Sequence, residues 1–319
     1  MQLKMQHMLL FFCHQNVNHI LLMKQKYKCT NLFRLTFPKV RRKEAFSCEW
    51  VIGKEYTYML YIFYLMICFL ASIVGAICGI GGGVIIKPVL DSFGLLDVST
   101  ISFLSGCTVL SMSAYSVITA SMSKKNILNY KIAAPLAIGA TVGGSIGKVV
   151  FQILTNHCNE ELVGAVQAAS LILITIGTLI YTLFKSNITT QEIKNPIFCV
   201  LIGMFLGIIS SFLGIGGGPI NLVVLYFFFS MPVQTAAQNS LYIILFSQIS
   251  SLIYSIITNK IPDVRLSLII LMSFGGIMGG FCGHRINKKI ESKTVEYLFI
   301  ILMLVIILIN IFNLIKYLM

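Results

Sequence analysis

Two identical glycine-rich pentapeptides, Gly-Ile-Gly-Gly-Gly, are the residues whose types and spacing point most directly to chemistry. They occupy residues 79–83 and 214–218, and apolar sequence surrounds both. Glycine is about 1 kcal/mol less favourable than alanine inside a helix, so three consecutive glycines predict a break. A helix that starts after such a break directs unpaired N–H groups and a partial positive charge at whatever precedes it. Because glycine has no side chain, an anion can approach this backbone closely, and we predict an anion site.

The candidate substrate-binding residues are the glycines of the two breaks and a few polar side chains that follow them. The full set is Gly79, Gly81, Gly82, Gly83, Gly214, Gly216, Gly217, Gly218, Lys87, Ser105, Gln238 and Asn239. The alternative for the glycines is that they only let crossing helices touch. Binding is preferred because three adjacent glycines expose more backbone than close packing needs.

Polar side chains in the adjoining apolar segments fit a small, strongly polar cargo. Four of them share one helical face because they fall at i, i+3, i+4 and i+7: Thr235, Gln238, Asn239 and Tyr242. The corresponding segment after the first pentapeptide offers three weaker candidates: Ser102, Ser105 and Thr108. Lys87 is the basic residue expected at membrane depth, where it is either a functional group or a side chain that snorkels to the interface.

Long apolar segments must position these residues. Of the 319 residues, 57% are hydrophobic and only 11% are charged, whereas soluble domains carry about 25% charged residues. Eight stretches approach or exceed the roughly 20 residues that cross a bilayer. They are Tyr58–Cys78, Ile101–Met122, Ile132–Leu154, Leu162–Phe184, Ile197–Leu213, Ala236–Thr258, Leu266–Arg285 and Val295–Leu318. The sequence therefore predicts an all-α, multi-pass membrane protein.

The chain also shows an internal repeat. A second glycine pattern occurs as GATVGGSIG at residues 139–147 and as GGIMGGFCG at residues 275–283. Glycines four apart are typical of closely packed membrane helices, so we expect these two stripes to serve helix packing. Two motifs in the same order predict a tandem duplication of a four-span unit. We assign the first repeat to residues 56–185, a linker to 186–195 and the second repeat to 196–319.

The short apolar segments that follow the breaks leave the number of crossings open between eight and ten. With eight crossings and a cytosolic N-terminus, the loop with Lys124, Lys125 and Lys131 lies in the cytosol, as the positive-inside rule favours. With ten crossings the halves are inverted repeats, an arrangement common in transporters, and those lysines lie on the other side. Loop charge favours eight.

Residues 1–55 form a basic N-terminal extension. They hold ten of the 24 Lys and Arg residues of a chain whose net charge is +13. A basic segment ahead of a first span favours retention in the cytosol and attraction to anionic headgroups. We predict a disordered cytosolic tail, with a targeting segment as the alternative. Since the excess charge is concentrated here, it does not indicate nucleic-acid binding.

Several kinds of site are missing from the sequence. No His-Glu-x-x-His, no nucleophile with a nearby base and no Walker motif occurs, which disfavours an enzyme or an ATP-driven pump. The nine cysteines form no C-x-x-C pair, so we expect neither a disulfide framework, a metal site nor a cofactor. The central spans lack carboxylates, with Asp91 and Asp97 placed near or beyond the end of a short segment. Lys87 and His284 are the groups that would carry a proton if a proton gradient drove transport.

The motifs resemble those of the TauE/SafE sulfite exporter family. The resemblance rests on Cys/Leu-Gly-Ile-Gly-Gly-Gly at both breaks and on G-G-G-x-x-x-x-P-x-L at Gly81–Leu90, and it covers roughly residues 60–315. It implies a secondary transporter for sulfite, sulfonates or related organosulfur anions, with the lipid bilayer and a small anion as its partners. The second half departs from the pattern, because Pro219 follows the glycines and no proline matches Pro88. The alternatives are a non-transporting scaffold or sensor, and an anion channel.

Overall fold

The computed structural model describes the backbone of residues 42–122 and 129–319, and within these ranges the side chains from residue 58 onward except that of Ser186. This part of the chain is helical and contains no strand. Its helices are α1 (Arg42–Cys78), α2 (Gly83–Phe93), α3 (Val98–Ser121), α4 (Tyr130–His157), α5 (Glu160–Phe184), α6 (Pro196–Leu213), α7 (Pro219–Phe229), α8 (Val233–Ile257), α9 (Leu266–Asn287) and α10 (Ser292–Leu318). A 3-10 turn, Lys185–Asn187, follows α5. The all-α prediction is confirmed.

Eight of these helices are long and apolar enough to cross a membrane, and they coincide with the eight predicted spans. The other two, α2 and α7, have 11 residues each. A helix of that length extends about 16 Å, roughly half the hydrocarbon thickness of a bilayer. The predicted helix, glycine break and short helix therefore occur in both halves of the chain.

The N-terminal part of α1 lies inside the segment for which the sequence predicts disorder. The backbone is helical from Arg42, and no proline occurs between Pro38 and Pro88 to end a helix there. The rest of the predicted tail, residues 1–41, lies outside the described residues. By compactness the chain divides into residues 1–60 and 61–319, and all the packing below belongs to the second unit.

Each short helix turns back along the helix that precedes it. The ring of Phe93, the last residue of α2, meets the ring of Phe63 near the start of the α1 span, with centroids 4.8 Å apart. In the second half, the N–H groups of Gln191 and Ile193 donate to the carbonyls of Phe227 and Phe228, at 2.7 and 3.0 Å. The end of α7 therefore returns to the level at which α6 begins. Both breaks act as reversals of chain direction.

The glycine stripes pack helices of one half against helices of the other half. On α4, Gly139, Gly143 and Gly147 lie against the backbone of Val200, Met204 and Ile208 in α6. On α9, Gly275, Gly279 and Gly283 lie in the same way against Leu65, Phe69 and Ile73 in α1. The predicted packing role is confirmed, and the contacts show that each pair of helices runs in parallel. The sequence did not indicate that the partner helix belongs to the other half.

The last helices of the two halves run in opposite directions. Gly164 of α5 lies against Tyr317 of α10, the Thr178 hydroxyl donates to Sδ of Met303, and Lys185 pairs with Glu296. As residue numbers rise along α5 they fall along α10, so these helices are antiparallel. The helix directions are therefore those expected for ten crossings, in which the two halves are inverted relative to each other. Loop charge favoured eight crossings because that argument assumed a cytosolic N-terminus. The structure does not show which end of the protein faces the cytosol.

Two ends of the bundle follow from these directions. We call one the C-terminal end, because it holds Leu318 together with residues 94–97, 158–159 and 258–265. We call the other the linker end, because it holds residues 185–195, 230–232 and 288–291. The tandem duplication itself stays a prediction, which the matching contacts of the two halves support.

Candidate functional site

The two glycine breaks meet inside the protein. The carbonyl oxygen of Ile215 occupies the place that a Cβ on Gly83 would take, and the carbonyl of Ile80 lies 3.3 Å from the Cβ position of Gly217. The residues of both breaks are buried, apart from the partly exposed Gly214. We call residues 79–83 and 214–218 together the glycine crossing. The structure therefore brings all eight predicted glycines to one place.

Conformation demands glycine at several positions of the crossing, and lack of space demands it at some of them. Gly79 and Gly81 have φ of 71° and 80°, and the matching Gly214 and Gly216 have φ of 64° and 72°. Residues with side chains rarely adopt this left-handed region. A Cβ on Gly79 would also overlap Ala237, whereas the nearest atom to a Cβ on Gly81 would be 3.5 Å away. Close packing is thus one reason for these glycines, alongside the predicted exposure of backbone to a ligand.

Several backbone N–H groups at the crossing are free to donate. In α2 the N–H groups of Ile85 and Ile86 donate to the carbonyl of Gly82. Within the described residues, the N–H groups of Gly82 and Gly83 donate to no backbone carbonyl, and the same holds for Gly217 and Gly218 before α7. Such groups at helix N-termini are suited to bind an anion, since the helix dipole adds to their partial charge.

Buried hydroxyl groups without a hydrogen-bond partner surround the crossing. Ser105 lies beside Gly83, Ser102 beside Gly214 and Ser72 beside Gly82, and none of the three hydroxyls has a partner within the described part of the protein. Leaving a buried polar group unpaired costs about 1–3 kcal/mol, so a cluster of such groups indicates a function. Ser105 was predicted from the sequence. Ser72 was missed, because it lies in α1 ahead of the break and no local motif marks it.

Lys87 is buried and paired rather than snorkelling. Its Nζ donates to Oδ2 of Asp91 at 3.1 Å, and both side chains are buried. The sequence placed Asp91 near or beyond the end of the short segment. In the structure Asp91 lies in the last turn of α2 and is covered by α10, whose Lys316 Nζ donates to the carbonyls of Asp91 and Ser92. The predicted position of Asp91 near the end of the short segment agrees with the structure, whereas its burial was not predicted.

The predicted polar face of α8 lies against the start of α4. The Asn239 amide donates to the Thr235 carbonyl at 2.8 Å and accepts from the backbone N–H of Asn129 at 3.2 Å. The Tyr242 ring packs against Tyr130 with centroids 6.1 Å apart. Asn239 thus holds the N-terminus of α4, and the structure does not bring it to the crossing. Gln238 is buried and follows Ala237, which contacts Gly79.

Sequence reasoning missed one basic residue inside a helix span. Lys148 of α4 is 8% exposed, and its Nζ lies 4.8 Å from the centroid of the Phe151 ring. The sequence alone could have indicated it, because Lys148 is the only ionisable residue of the predicted span Ile132–Leu154. His284, considered from the sequence only as a proton carrier, is also buried.

No group of three or more metal-binding side chains occurs in the ranges that the structure covers. Among the cysteines whose side chains the structure describes, six are free and none forms a disulfide. The absence of a cofactor stays a prediction.

Two broken helices that meet inside a bundle of membrane-length helices define a class of protein, the membrane transporters built around discontinuous helices. The chain belongs to the sulfite exporter TauE/SafE family, whose sequence profile matches residues 64–309. This range contains both breaks and both glycine stripes.

Two relatives extend the comparison. The chain is 27% identical over 256 residues to the "Probable membrane transporter protein MJ0441" of Methanocaldococcus jannaschii, which covers 76% of this chain and 92% of the relative. It is 24% identical over 270 residues to the "Probable membrane transporter protein YunE" of Bacillus subtilis, which covers 78% of this chain and 96% of the relative. No solved structure matches the chain. The protein is thus a multi-pass integral membrane protein of a transporter family.

Proposed function

We propose that this protein is a secondary transporter that moves small anions of the sulfite, sulfonate and organosulfur class across a membrane. The observation that carries the proposal is the glycine crossing, where two helix N-termini and several unpaired hydroxyls converge in a buried position. The family description names sulfite, and the chemistry of the crossing fits an oxyanion of this kind.

The charge of the site favours an anion over a cation. The helix starts at α2 and α7 each contribute a partial positive charge and free N–H donors. Lys87 and Lys148 add two buried ammonium groups, whereas Asp91 is the single buried carboxylate among the side chains that the structure describes. An oxyanion with several oxygens can accept hydrogen bonds from both helix starts and from Ser105 at the same time. The proposed ligands are the crossing glycines, Lys87, Ser105 and Gln238, with Asn239 as a positioning residue.

The opposite directions of the two halves suit transport by alternating access. When two similar halves run in opposite senses around one site, exchanging their conformations opens that site to the other side of the membrane. The crossing lies where the halves contact each other, so a small rotation of one half would change its accessibility. The driving force comes from a gradient, because the chain carries no nucleotide-binding motif.

The test is flux of labelled sulfite and a labelled alkanesulfonate into proteoliposomes, with and without a pH gradient. We expect saturable uptake of at least one of the two anions. Sulfite changes charge near neutral pH, so its flux should depend on the pH gradient, whereas a sulfonate stays anionic and its flux should not. Uphill sulfonate uptake driven by protons would require a proton-carrying side chain. No movement under any gradient would favour a scaffold or sensor, and fast flux that does not saturate would favour a channel.

A further inference from the structure

Two basic side chains occupy matching positions in the two glycine stripes. Lys148 follows Gly147, the last stripe glycine of α4, and His284 follows Gly283, the last stripe glycine of α9. The two residues are 136 positions apart, the same offset that relates the stripes. Any role of this pair in binding depends on the proposed transport of anions.

Both side chains are buried without a carboxylate partner. Lys148 is 8% exposed and His284 is 5% exposed. Neither forms an ion pair within the described ranges, and both ring nitrogens of His284 lack a hydrogen-bond partner there. Burial of an uncompensated charge or an unpaired polar ring is costly. Such groups are retained in a membrane protein where they contact a ligand or an ion pathway.

Helix packing places His284 on the linker side of the crossing. Gly276 and Gly280 of α9 lie against Thr108 and Met112 of α3, and the two helices run in parallel. One further turn brings His284 level with Ser116, whose buried hydroxyl also lacks a partner. Ser116 lies two turns, about 10 Å, beyond Val109, the α3 residue that touches the crossing at Gly216.

The same geometry places Lys148 on the opposite side. Gly144 of α4 lies against Ser247 of α8, and one further turn brings Lys148 level with the buried Ser251. Ser251 lies two turns, about 10 Å, beyond Ile244, the α8 residue that touches the crossing at Gly217. Since α4 runs toward the C-terminal end and α9 toward the linker end, the two bases flank the crossing from opposite sides.

The charged neighbours of both residues have the sign that attracts anions. Lys148 lies close enough to Lys87 for the two ammonium charges to interact. His284 interacts with Lys288, and the Arg285 guanidinium lies over the Phe281 ring at 4.0 Å from its centroid. Each side of the crossing thus combines a buried base, a second basic residue and a nearby serine.

We propose that Lys148 and His284 are two anion-binding positions on one pathway, at either side of the glycine crossing. An oxyanion that enters from the C-terminal end contacts Lys148 first, passes the helix starts at the crossing and contacts His284 before release at the linker end. Each side chain donates an N–H group to an oxygen of the anion. The ligand class is a small oxyanion, for which sulfite is the probe.

The test measures the half-saturating sulfite concentration from each face of the membrane in oriented vesicles. The variants are Lys148→Met and His284→Leu, with Lys148→Arg as the conservative partner. The matched controls are Lys131→Met and His157→Leu, which alter exposed residues of α4. Losing a charge-assisted hydrogen bond should raise the half-saturating concentration about tenfold or more. For Lys148→Met we expect this increase at the C-terminal face, and for His284→Leu at the linker face, while Lys148→Arg and both controls stay within about threefold of wild type.

Wild-type flux combined with unchanged half-saturation in both variants would overturn this inference and leave the proposed function intact. Equal increases at both faces would also overturn it, because they indicate one shared site. If wild type moves no anion, the proposed function fails. Equilibrium binding of labelled sulfite to the purified protein then tests whether Lys148 and His284 bind the anion. Weaker binding in either variant supports this role, whereas unchanged or undetectable binding overturns it. If Lys148→Met does not insert, Lys148→Gln replaces it in both measurements.

Discussion

At the scale of single residues, the ion pair between Lys87 and Asp91 stands out because both charged groups are buried. It lies inside α2, and its N–O distance is 3.1 Å. The Asn313 amide donates to the Pro88 carbonyl at 2.8 Å, and the Lys316 ammonium donates to the last carbonyls of the same helix. These bonds fasten the end of α2 to the end of α10, so the position of α2 depends on them.

We predict that Asp91→Asn destabilises the protein by about 3–5 kcal/mol, because it leaves the Lys87 ammonium buried and uncompensated. The double variant Lys87→Met with Asp91→Leu removes both charges and should recover most of that loss. Thermal unfolding in detergent measures both effects. The control is Glu192→Gln, which breaks an ion pair whose side chains are 84% and 71% exposed and should change little. A double variant no more stable than Asp91→Asn would contradict the argument.

Individual residues differ in how far the sequence alone could place them. The crossing glycines and Ser105 were predicted, since three adjacent glycines mark a break wherever they occur. Lys148 could have been predicted, because a lone lysine inside an apolar span is visible in the sequence. The burial of Asp91 could not, because it depends on α10, whose contacting residues lie 225 positions away in the chain.

At the scale of helices, apolar length and glycine pattern were sufficient to predict the elements. The eight spans agree with the sequence to within a few residues at each end, and the breaks occur where the glycines do. The sequence predicted a broken or re-entrant helix at each pentapeptide and left open whether the chain reverses direction there. Hydrophobicity measures only how apolar a segment is, and it contains no information about the direction in which that segment runs.

The helix packing predicts opposite effects of alanine at two glycines. A Cβ at Gly143 would overlap the carbonyl of Met204, so Gly143→Ala should destabilise the protein by about 1–3 kcal/mol. Gly177 of α5 has open space at its Cβ position, so Gly177→Ala should be neutral or stabilise by up to about 1 kcal/mol through helix propensity. Thermal unfolding of the two variants distinguishes them. If both variants shift the unfolding temperature by the same sign and size, the glycine stripe of α4 does not determine its contact with α6.

At the scale of the whole molecule, the two halves contact each other in corresponding ways. Gly79 of the first half lies against Ala237 of the second, and Gly214 of the second lies against Ser102 of the first. Both pairs are related by the offset of 135 positions that separates the pentapeptides. The sequence predicted the repeat but not the relative direction of its two halves. The argument from loop charge assumed a cytosolic N-terminus, and its result depends on that assumption.

The directions of the helices predict which loops share a side of the membrane. Lys194 and Lys288 lie at the linker end, and Lys260 lies at the C-terminal end. In a background without the nine native cysteines, an impermeant thiol reagent should label Lys194→Cys and Lys288→Cys from one side and Lys260→Cys from the other. The parallel eight-span scheme instead puts Lys194 and Lys260 together, opposite Lys288, and that labelling pattern would rule out the structure's topology. The same labelling determines which end faces the cytosol.

The most direct test of the central claim, that the glycine crossing binds the transported anion, is sulfite flux through variants of Gly82. This residue is the N-cap of α2 with φ of −64°, a conformation open to any residue, and its Cβ position lies 3.1 Å from the Ser72 hydroxyl and 3.3 Å from the Ala71 carbonyl of α1. Gly82→Ala should reduce flux and Gly82→Leu should abolish it, because added bulk displaces the Ser72 hydroxyl beside the free N–H groups. The matched control is Gly177→Leu in open space. Correctly inserted Gly82→Leu protein that carries sulfite as fast as Gly177→Leu would contradict the account and leave the glycines a packing role alone.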